Sequence, residues 1–141
     1  MKKIITNSAK ETQQLAFDYT LKIAKGQVVC FQGDLGAGKT TFIQGMLNFL
    51  NAEKPYTSPT FVIMKKYQVK HVIIKNVYHI DAYRIDDNSL FDLGWDEIVR
   101  DPKSLVLLEW PEKIEKSIPK DAQLIKFKWI DENSREIDFS K

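Results

Sequence analysis

Two runs of consecutive apolar residues predict two buried strands at the centre of the fold. Residues 27–32 (QVVCFQ) and residues 105–108 (LVLL) are apolar at neighbouring positions rather than at alternating ones. A strand has this pattern when both faces of its sheet are covered, which is typical of parallel sheets. Cys30 lies inside the first run, and we interpret it as a small packing residue without chemistry of its own.

Helical spacing of apolar residues brackets the first of these strands. Ser8 followed by Glu11 fits a capping box, and a helix is predicted from there to about residue 24. Apolar residues return at helical spacing over residues 40–50, and residues 92–100 predict a short further helix. The chain therefore alternates between helix and strand in its first half.

Further strands are predicted in the second half of the chain. Residues 61–83 are rich in Val, Ile and Tyr and predict two strands joined near Val69 and Lys70. Residues 123–129 and 135–139 are separated by the polar sequence DENS and predict a closing hairpin. These elements predict an α/β fold with a mainly parallel central sheet, flanked by helices and extended by antiparallel strands.

Composition adds the size of the folding unit and excludes some kinds of cross-link. The chain has 141 residues, of which 43% are hydrophobic, so we expect one domain over residues 1–141 with a core of its own. A single cysteine provides neither an internal disulfide nor a four-ligand zinc site. Trp95 and Trp129 are expected in the core, whereas Trp110, next to Glu109, either lines a functional site or contacts a partner.

Charge and hydropathy bear on partners and compartment. The formal net charge is +2, from 21 Lys and Arg against 19 Asp and Glu, which is too small a surplus to indicate nucleic-acid binding by itself. The first residues lack the apolar core of a secretion signal, and no apolar stretch approaches membrane-spanning length. We therefore expect a cytoplasmic protein.

One loop carries specific chemistry. Residues 33–40 (GDLGAGKT) match the phosphate-loop pattern G-x-x-x-x-G-K-[ST] completely, between a predicted buried strand and a predicted helix. In such a loop backbone N–H groups cradle a polyphosphate, a lysine such as Lys39 reaches the β- and γ-phosphates, and a hydroxyl such as that of Thr40 is a ligand for Mg²⁺. A glycine-rich turn with a chance lysine is the alternative. We expect a P-loop NTPase domain that binds a nucleotide with Mg²⁺.

Hydrolysis requires further groups, and three residues are candidates. Glu109 follows the apolar run 105–108, and Asp81 follows the run 77–80. An acidic residue at the end of an apolar strand is a typical second anchor for the metal or the attacking water. The alternative interpretation is that Glu109 is a surface carboxylate at a strand end and that Asp81 is a turn or cap aspartate. Thr60, in the sequence SPTF, is placed to reach the γ-phosphate or its metal, or is part of an ordinary turn.

Two neighbours of Asp81 have alternative interpretations. His79 is either a base or, as we favour, a structural histidine, because phosphoryl transfer depends mainly on positioning and charge. Arg84 is either an arginine finger supplied within the chain or an ion-pair partner of Asp81 or Asp86.

Five segments together resemble the bacterial TsaE family. They are GDLGAGKTTF, SPTF, HIDAYR, LGWDE and LLEWPE, which occur in the family's order over most of the chain. The resemblance implies a small ATPase of tRNA threonylcarbamoyladenosine biosynthesis that acts with TsaB-type and TsaD-type partners, the latter performing the transfer. Ala82 departs from the family's usual leucine, which affects packing more than chemistry.

The resemblance also implies roles for individual residues. Those that correspond to the phosphate cradle are Gly36, Ala37, Gly38, Lys39, Thr40 and Thr41. Thr40 and Glu109 resemble the Mg²⁺ anchors, and Thr60 resembles a switch threonine. Asp81 resembles the residue required for hydrolysis, and Thr12 and Arg135 resemble positions near the nucleotide base.

Two alternative functions remain open at this point. A small-molecule kinase would share the loop, although the sequence has no arginine-rich lid segment. A non-catalytic, nucleotide-gated binding module would share it as well.

The basic segment with Lys65, Lys66, Lys70, His71 and Lys75 either contacts tRNA or an acidic partner, or protects an exposed strand edge, the interpretation that we favour.

Overall fold

The computed structural model of the chain describes residues 2–56 and 63–139. Within them, seven strands form one sheet in the order β1-β7-β6-β2-β5-β4-β3. The strands are β1 (Lys3–Thr6), β2 (Gln27–Gln32), β3 (Met64–Gln68), β4 (Asn76–Asp81), β5 (Ser104–Glu109), β6 (Gln123–Trp129) and β7 (Arg135–Asp138). The α-helices are α1 (Ala9–Leu21), α2 (Lys39–Phe49), α3 (Asp87–Asp92) and α4 (Trp95–Arg100), and 3₁₀ turns span Pro111–Lys113 and Glu115–Ser117.

The centre of the sheet is parallel and its additions are antiparallel. Strands β6, β2, β5 and β4 are neighbours and run in the same direction. Strand β3 pairs antiparallel with β4, β7 pairs antiparallel with β6, and β1 pairs antiparallel with β7. This arrangement confirms the predicted mixed α/β fold. It also places the carboxyl ends of five strands, β1 among them, at one edge of the sheet.

The two consecutive apolar runs are buried because the sheet is covered on both faces. Val29 and Phe31 of β2 pack in a cluster with residues of α1 and α2, whereas Val28 and Cys30 pack with residues of α3 and α4. All six residues of β5 are buried. Burial raises the pKa of the Cys30 thiol to about 12, so the neutral thiol is a packing group in this strand.

The helices α1 and α2 pack closely because a glycine lies between them. Gly45 of α2 is buried, and a Cβ atom there would lie 2.8 Å from the Cβ of Ala16 and 3.1 Å from the backbone of Gln13. Such a distance forces one helix to shift. The start of α2 belongs to the candidate site, so this contact also sets the position of that site.

Replacing Gly45 with valine is therefore expected to lower the free energy of unfolding by about 2 kcal/mol, since overpacking a tight helix contact costs this much. Chemical denaturation monitored by circular dichroism measures the change. Asn48→Val is the matched control, because Asn48 is exposed on the same helix and carries only the helix-propensity cost. Equal losses in the two variants would contradict the packing argument.

Several element boundaries differ from the sequence-based predictions. Helix α1 has its C-cap at Lys22, slightly earlier than predicted. The helix predicted over 92–100 is present as α4, which begins only at Trp95 after Gly94 with φ 75°, and the short helix α3 before it was not predicted. The connection between β3 and β4 is longer than the predicted turn, and its Ile74 is fully buried.

The prediction for one tryptophan was wrong. Trp95 is buried as predicted, but Trp129 is 53% exposed. It is the last residue of β6 and pairs with Arg135, so it lies at the rim of the sheet rather than in the core.

Strand β3 lies at the outer edge of the sheet. Lysines at such an edge oppose pairing with another chain, so the placement agrees with the edge-protection interpretation of Lys65 and Lys66. Among the described residues, no helix combines the length and the apolar character needed to cross a bilayer.

Candidate functional site

The loop between β2 and α2 lies at the carboxyl edge of the sheet. Gly33, Gly36 and Gly38 have φ values of 152°, 78° and 104°, a region that side chains disfavour. At Gly33 a Cβ atom would lie only 2.5 Å from the carbonyl oxygen of Phe127 in β6. Glycine is thus required there both by backbone conformation and by the close approach of a neighbouring strand.

Helix α2 begins without a side-chain cap. Its N-cap residue is Gly38, and no side chain accepts a hydrogen bond from the first turn. The N–H groups of this turn have no acceptor within the helix, and together with the helix dipole they give its start a partial positive charge. A helix start of this kind at the end of a glycine loop is suited to an anion.

A cavity of about 470 Å³ opens over this loop. It brings together most of the candidates from the sequence. Those that line it are Thr12, Gly36, Gly38, Lys39, Thr40, Thr41, Glu109 and Arg135. Residues far apart in the chain meet here because the ends of β1, β2, β5 and β6 share one edge of the sheet.

The side chain of Lys39 is held inside the loop. Its Nζ donates a 2.6 Å hydrogen bond to the carbonyl oxygen of Gly33, and it lies 4.2 Å from the centre of the Trp110 ring. The residue is only 5% exposed. The ammonium group is therefore positioned by a backbone carbonyl of the glycine loop and by the face of an aromatic ring.

Burial also changes the protonation chemistry of this ammonium. Loss of hydration lowers the pKa of Lys39 below its ordinary value, and nearby carboxylates, Glu109 foremost, act in the opposite direction. An incompletely hydrated cation is a strong partner for an anion that enters the cavity.

Two carboxylates end neighbouring parallel strands. Asp81 of β4 and Glu109 of β5 are partners in the strand register, and both are more than nine-tenths buried. Oδ1 of Asp81 accepts a 2.9 Å hydrogen bond from the backbone N–H of Tyr83. Oε2 of Glu109 lies 2.7 Å from Nε2 of His79. The strand register thus produces a pair of acidic groups beside the cavity.

An aromatic pair borders the same region. Trp110 directly follows Glu109 and has φ 60°, an uncommon conformation for a large side chain. Its ring packs edge-to-face against Tyr83, with ring centres 4.9 Å apart. Nζ of Lys113 lies 5.2 Å from the Tyr83 ring. The contact of Trp110 with Lys39 agrees with the prediction that Trp110 lines a functional site.

Arg135 connects the loop to the hairpin β6–β7. Its Nε donates a 3.0 Å hydrogen bond to the carbonyl oxygen of Gly36. Its Nη1 donates to the carbonyl oxygens of Asp131 and Ser134, at 2.5 Å and 3.0 Å. The guanidinium therefore fastens the turn of the hairpin to the glycine loop and forms one wall of the cavity.

The start of α1 also lines the cavity. Thr12 is 2% exposed, and its hydroxyl shares a 2.7 Å hydrogen bond with that of Thr6 at the end of β1.

The predicted capping box is present with one difference. Ser8 Oγ accepts from the N–H of Glu11, while Oε1 of Glu11 accepts from Asn7 rather than from Ser8.

Some of the candidate residues are not among those that line the cavity formed by the described part of the chain. Ala37 is buried, Arg84 is exposed, and Asp81 lies one strand beyond Glu109. Thr60 lies outside the described residues. Five lining residues were not among the candidates: Ser8, Ala9, Leu35, Glu132 and Asn133. The sequence signal that could have identified Glu132 and Asn133 is the polar turn of the hairpin, because that turn follows β6, which is parallel to β2.

The comparisons with known proteins agree with one another. The family model described as threonylcarbamoyl adenosine biosynthesis protein TsaE matches residues 6–137. The chain is 38% identical over 136 residues to the tRNA threonylcarbamoyladenosine biosynthesis protein TsaE of Bacillus subtilis (strain 168), covering 96% of this chain and 82% of the relative. It is 30% identical over 139 residues to the protein of the same name from Aquifex aeolicus (strain VF5), covering 97% and 94%.

A solved structure is similar as well. The crystal structure of Bacillus subtilis YdiB matches with a TM-score of 0.79 and 32% sequence identity, over 96% of this chain and 82% of that one. The match of the family model spans nearly the whole chain, from the end of β1 to β7. The chain therefore belongs to the TsaE family of tRNA threonylcarbamoyladenosine biosynthesis proteins.

Proposed function

We propose that this protein is a P-loop ATPase that binds ATP over the loop between β2 and α2. The observation that carries the proposal is the uncapped start of α2, together with a buried ammonium from Lys39 and glycines that leave the backbone accessible. Backbone N–H groups, a helix dipole and one cation are the groups that bind a triphosphate. A cavity of about 470 Å³ is within the usual range for small-molecule sites.

The base and ribose are proposed to lie against Thr12 and Arg135, which both line the cavity. Gly36, Ala37, Gly38, Thr40 and Thr41 are proposed to contribute backbone or hydroxyl groups to the phosphate cradle. Ala37 has no polar side-chain group, so only its backbone N–H could take part, and that N–H would have to exchange its present bond to the carbonyl oxygen of Asp34 for one to phosphate.

A Mg²⁺ ion fits the donor set at the same place. Thr40 and Glu109 both line the cavity and offer the hard oxygen ligands that Mg²⁺ prefers. Among the described residues, no cluster of three or more His, Cys, Asp or Glu side chains is suited to a metal. That agrees with an ion completed by phosphate oxygens and water. When bound, the ion would neutralise charge on the β- and γ-phosphates.

Hydrolysis is proposed as in-line attack of water on the γ-phosphate, giving ADP, phosphate and a proton. Lys39 would balance charge on the leaving and transferred oxygens. Asp81 and Glu109 are the two groups able to orient the water, because they are adjacent in register at this edge. Thr60 is retained in this proposal as a switch residue on the strength of the family resemblance alone.

The ATPase is proposed to act within tRNA threonylcarbamoyladenosine biosynthesis on a complex of TsaB-type and TsaD-type partners. Family membership supports the pathway. In this proposal the chain is not the transferase, and its output is a conformational difference between the ATP-bound and ADP-bound forms that loads or releases the partner complex.

A pull-down from cell extract tests this proposal. The tagged chain should recover a TsaD-type protein, in an amount that depends on added ATP, and Lys39→Ala should remove that dependence. A kinase would instead transfer phosphate to an added metabolite, which mass spectrometry of the acceptor detects. Recovery of the same partners at the same level in every condition would contradict nucleotide control.

A further inference from the structure

His79 is an unusual residue for its position in the sheet. It lies in β4 with 3% of its surface exposed, in register with Leu107 of the central strand β5. Val77, two residues earlier on the same face, packs in the apolar cluster with Leu105 and Leu107. A residue with only a packing role at position 79 would be expected to be apolar like its neighbours, because burying a polar group is costly.

One polar contact of His79 leads directly to the candidate site. Nε2 of the imidazole is 2.7 Å from Oε2 of Glu109, and both side chains are buried. A carboxylate only accepts hydrogen bonds, so Nε2 carries the proton and donates it. The other ring nitrogen, Nδ1, is buried without a hydrogen-bond partner among residues 2–56 and 63–139. The imidazole is thus held through its bond to Glu109.

The hydrogen bond from His79 engages only one of the two oxygens of the Glu109 carboxylate. Oε2 is occupied by His79, whereas no residue described in the structure donates a hydrogen bond to Oε1. Glu109 itself lines the cavity over the glycine loop. A side chain fixed at one oxygen loses rotamer freedom, which leaves its second oxygen as an oriented acceptor.

We propose that His79 is a positioning residue that holds the Glu109 carboxylate in one orientation, with its second oxygen directed to the metal and nucleotide in the cavity. This role rests on the proposed function, since it requires that Glu109 serve a bound Mg²⁺ and ATP. His79 acts through Glu109 and touches neither the nucleotide nor the reacting atoms. The residue makes its contribution before binding, by preorganising the acceptor.

Two substitutions distinguish the effect of the hydrogen-bond donor at position 79 from the effect of side-chain volume. His79→Leu fills the space without a donor, whereas His79→Gln places an amide N–H near the original Nε2. With the slowly hydrolysed analogue ATPγS bound, Mn²⁺ titration followed by electron paramagnetic resonance should show affinity reduced about 10-fold to 100-fold in His79→Leu, the usual effect of losing a residue that orients a metal ligand. His79→Gln should recover most of it, and metal-free nucleotide affinity should change less than about twofold in both variants.

Val77→Ala is the matched control for loss of packing. It removes buried volume from the same face of β4 without touching Glu109, so it should lower the melting temperature and leave Mn²⁺ affinity unchanged. Wild-type Mn²⁺ affinity in His79→Leu would overturn the proposal. So would an equal loss of affinity in His79→Leu, His79→Gln and Val77→Ala, because that result describes a structural role only.

A measurement on the nucleotide-free protein keeps this inference separate from the proposed function. Nitrogen-15 NMR of the His79 ring should show the proton on Nε2, exchanging slowly and shifting in Glu109→Gln. A proton on Nδ1 alone would overturn the contact and the proposal with it. Failure of the wild-type protein to bind ATPγS would instead end the proposed function, and the positioning role that depends on it.

Discussion

Replacing Lys39 with methionine is expected to weaken ATP binding by about 100-fold or more, because charge-assisted hydrogen bonds to phosphate contribute roughly 1.5–3 kcal/mol each. Lys39 lies with its ammonium buried at the head of the loop, where no other described lysine lines the cavity. Methionine keeps the apolar stem in place. Isothermal titration calorimetry of both proteins with Mg²⁺ and ATP measures the change.

Stability should not account for this loss. Burial disfavours the charged form of Lys39, and this offsets the loss of its hydrogen bond to Gly33, so the melting temperature of the nucleotide-free protein should change little. Lys128→Met is the matched control, since Lys128 is exposed on β6 and does not line the cavity. Lys39→Met and Lys128→Met binding ATP equally well would contradict the placement of the phosphates over this loop.

Replacing Glu109 with glutamine is expected to lower the hydrolysis rate by at least about 100-fold while metal-free ATP binding changes little. Glutamine has the same shape and still accepts the hydrogen bond from His79, but it lacks the charge that would stand opposite Mg²⁺. Phosphate release under saturating ATP measures the rate, and calorimetry without metal measures the binding.

Glu112→Gln is the matched control for this second prediction. Glu112 is an exposed carboxylate three residues further along, and it lies outside the cavity although its charge acts on Lys39. Glu112→Gln should therefore hydrolyse ATP at close to the wild-type rate. If Glu109→Gln also retains that rate, Glu109 is not the metal anchor and Asp81 becomes the principal candidate.

The parts of the fold and site that sequence analysis predicted are those whose signal is local. Strands β2 and β5 are predictable because their central residues 28–31 and 105–108 are all apolar, which reflects cover on both faces of the sheet. The glycine loop lies within residues 33–40, so its spacing alone predicts its conformation. The predicted capping box at Ser8 is likewise contained within one turn of helix.

The parts that were missed depend on which strands become neighbours. Glu132 and Asn133 reach the cavity only because β6 pairs with β2, and no periodicity in the sequence encodes that strand order. The contact between His79 and Glu109 joins residues 30 positions apart and follows from the register of β4 and β5. Trp129 was placed in the core because its size outweighed its position at the end of a strand.

The central claim is that main-chain groups between β2 and α2 hold a triphosphate. Calorimetry of the purified wild-type protein tests it most directly, with ATP and Mg²⁺ at millimolar concentration and AMP as the ligand that lacks the β- and γ-phosphates. Saturable heat is expected for ATP, and far weaker binding is expected for AMP. Absence of heat with ATP, or equal affinity for ATP and AMP, would contradict it.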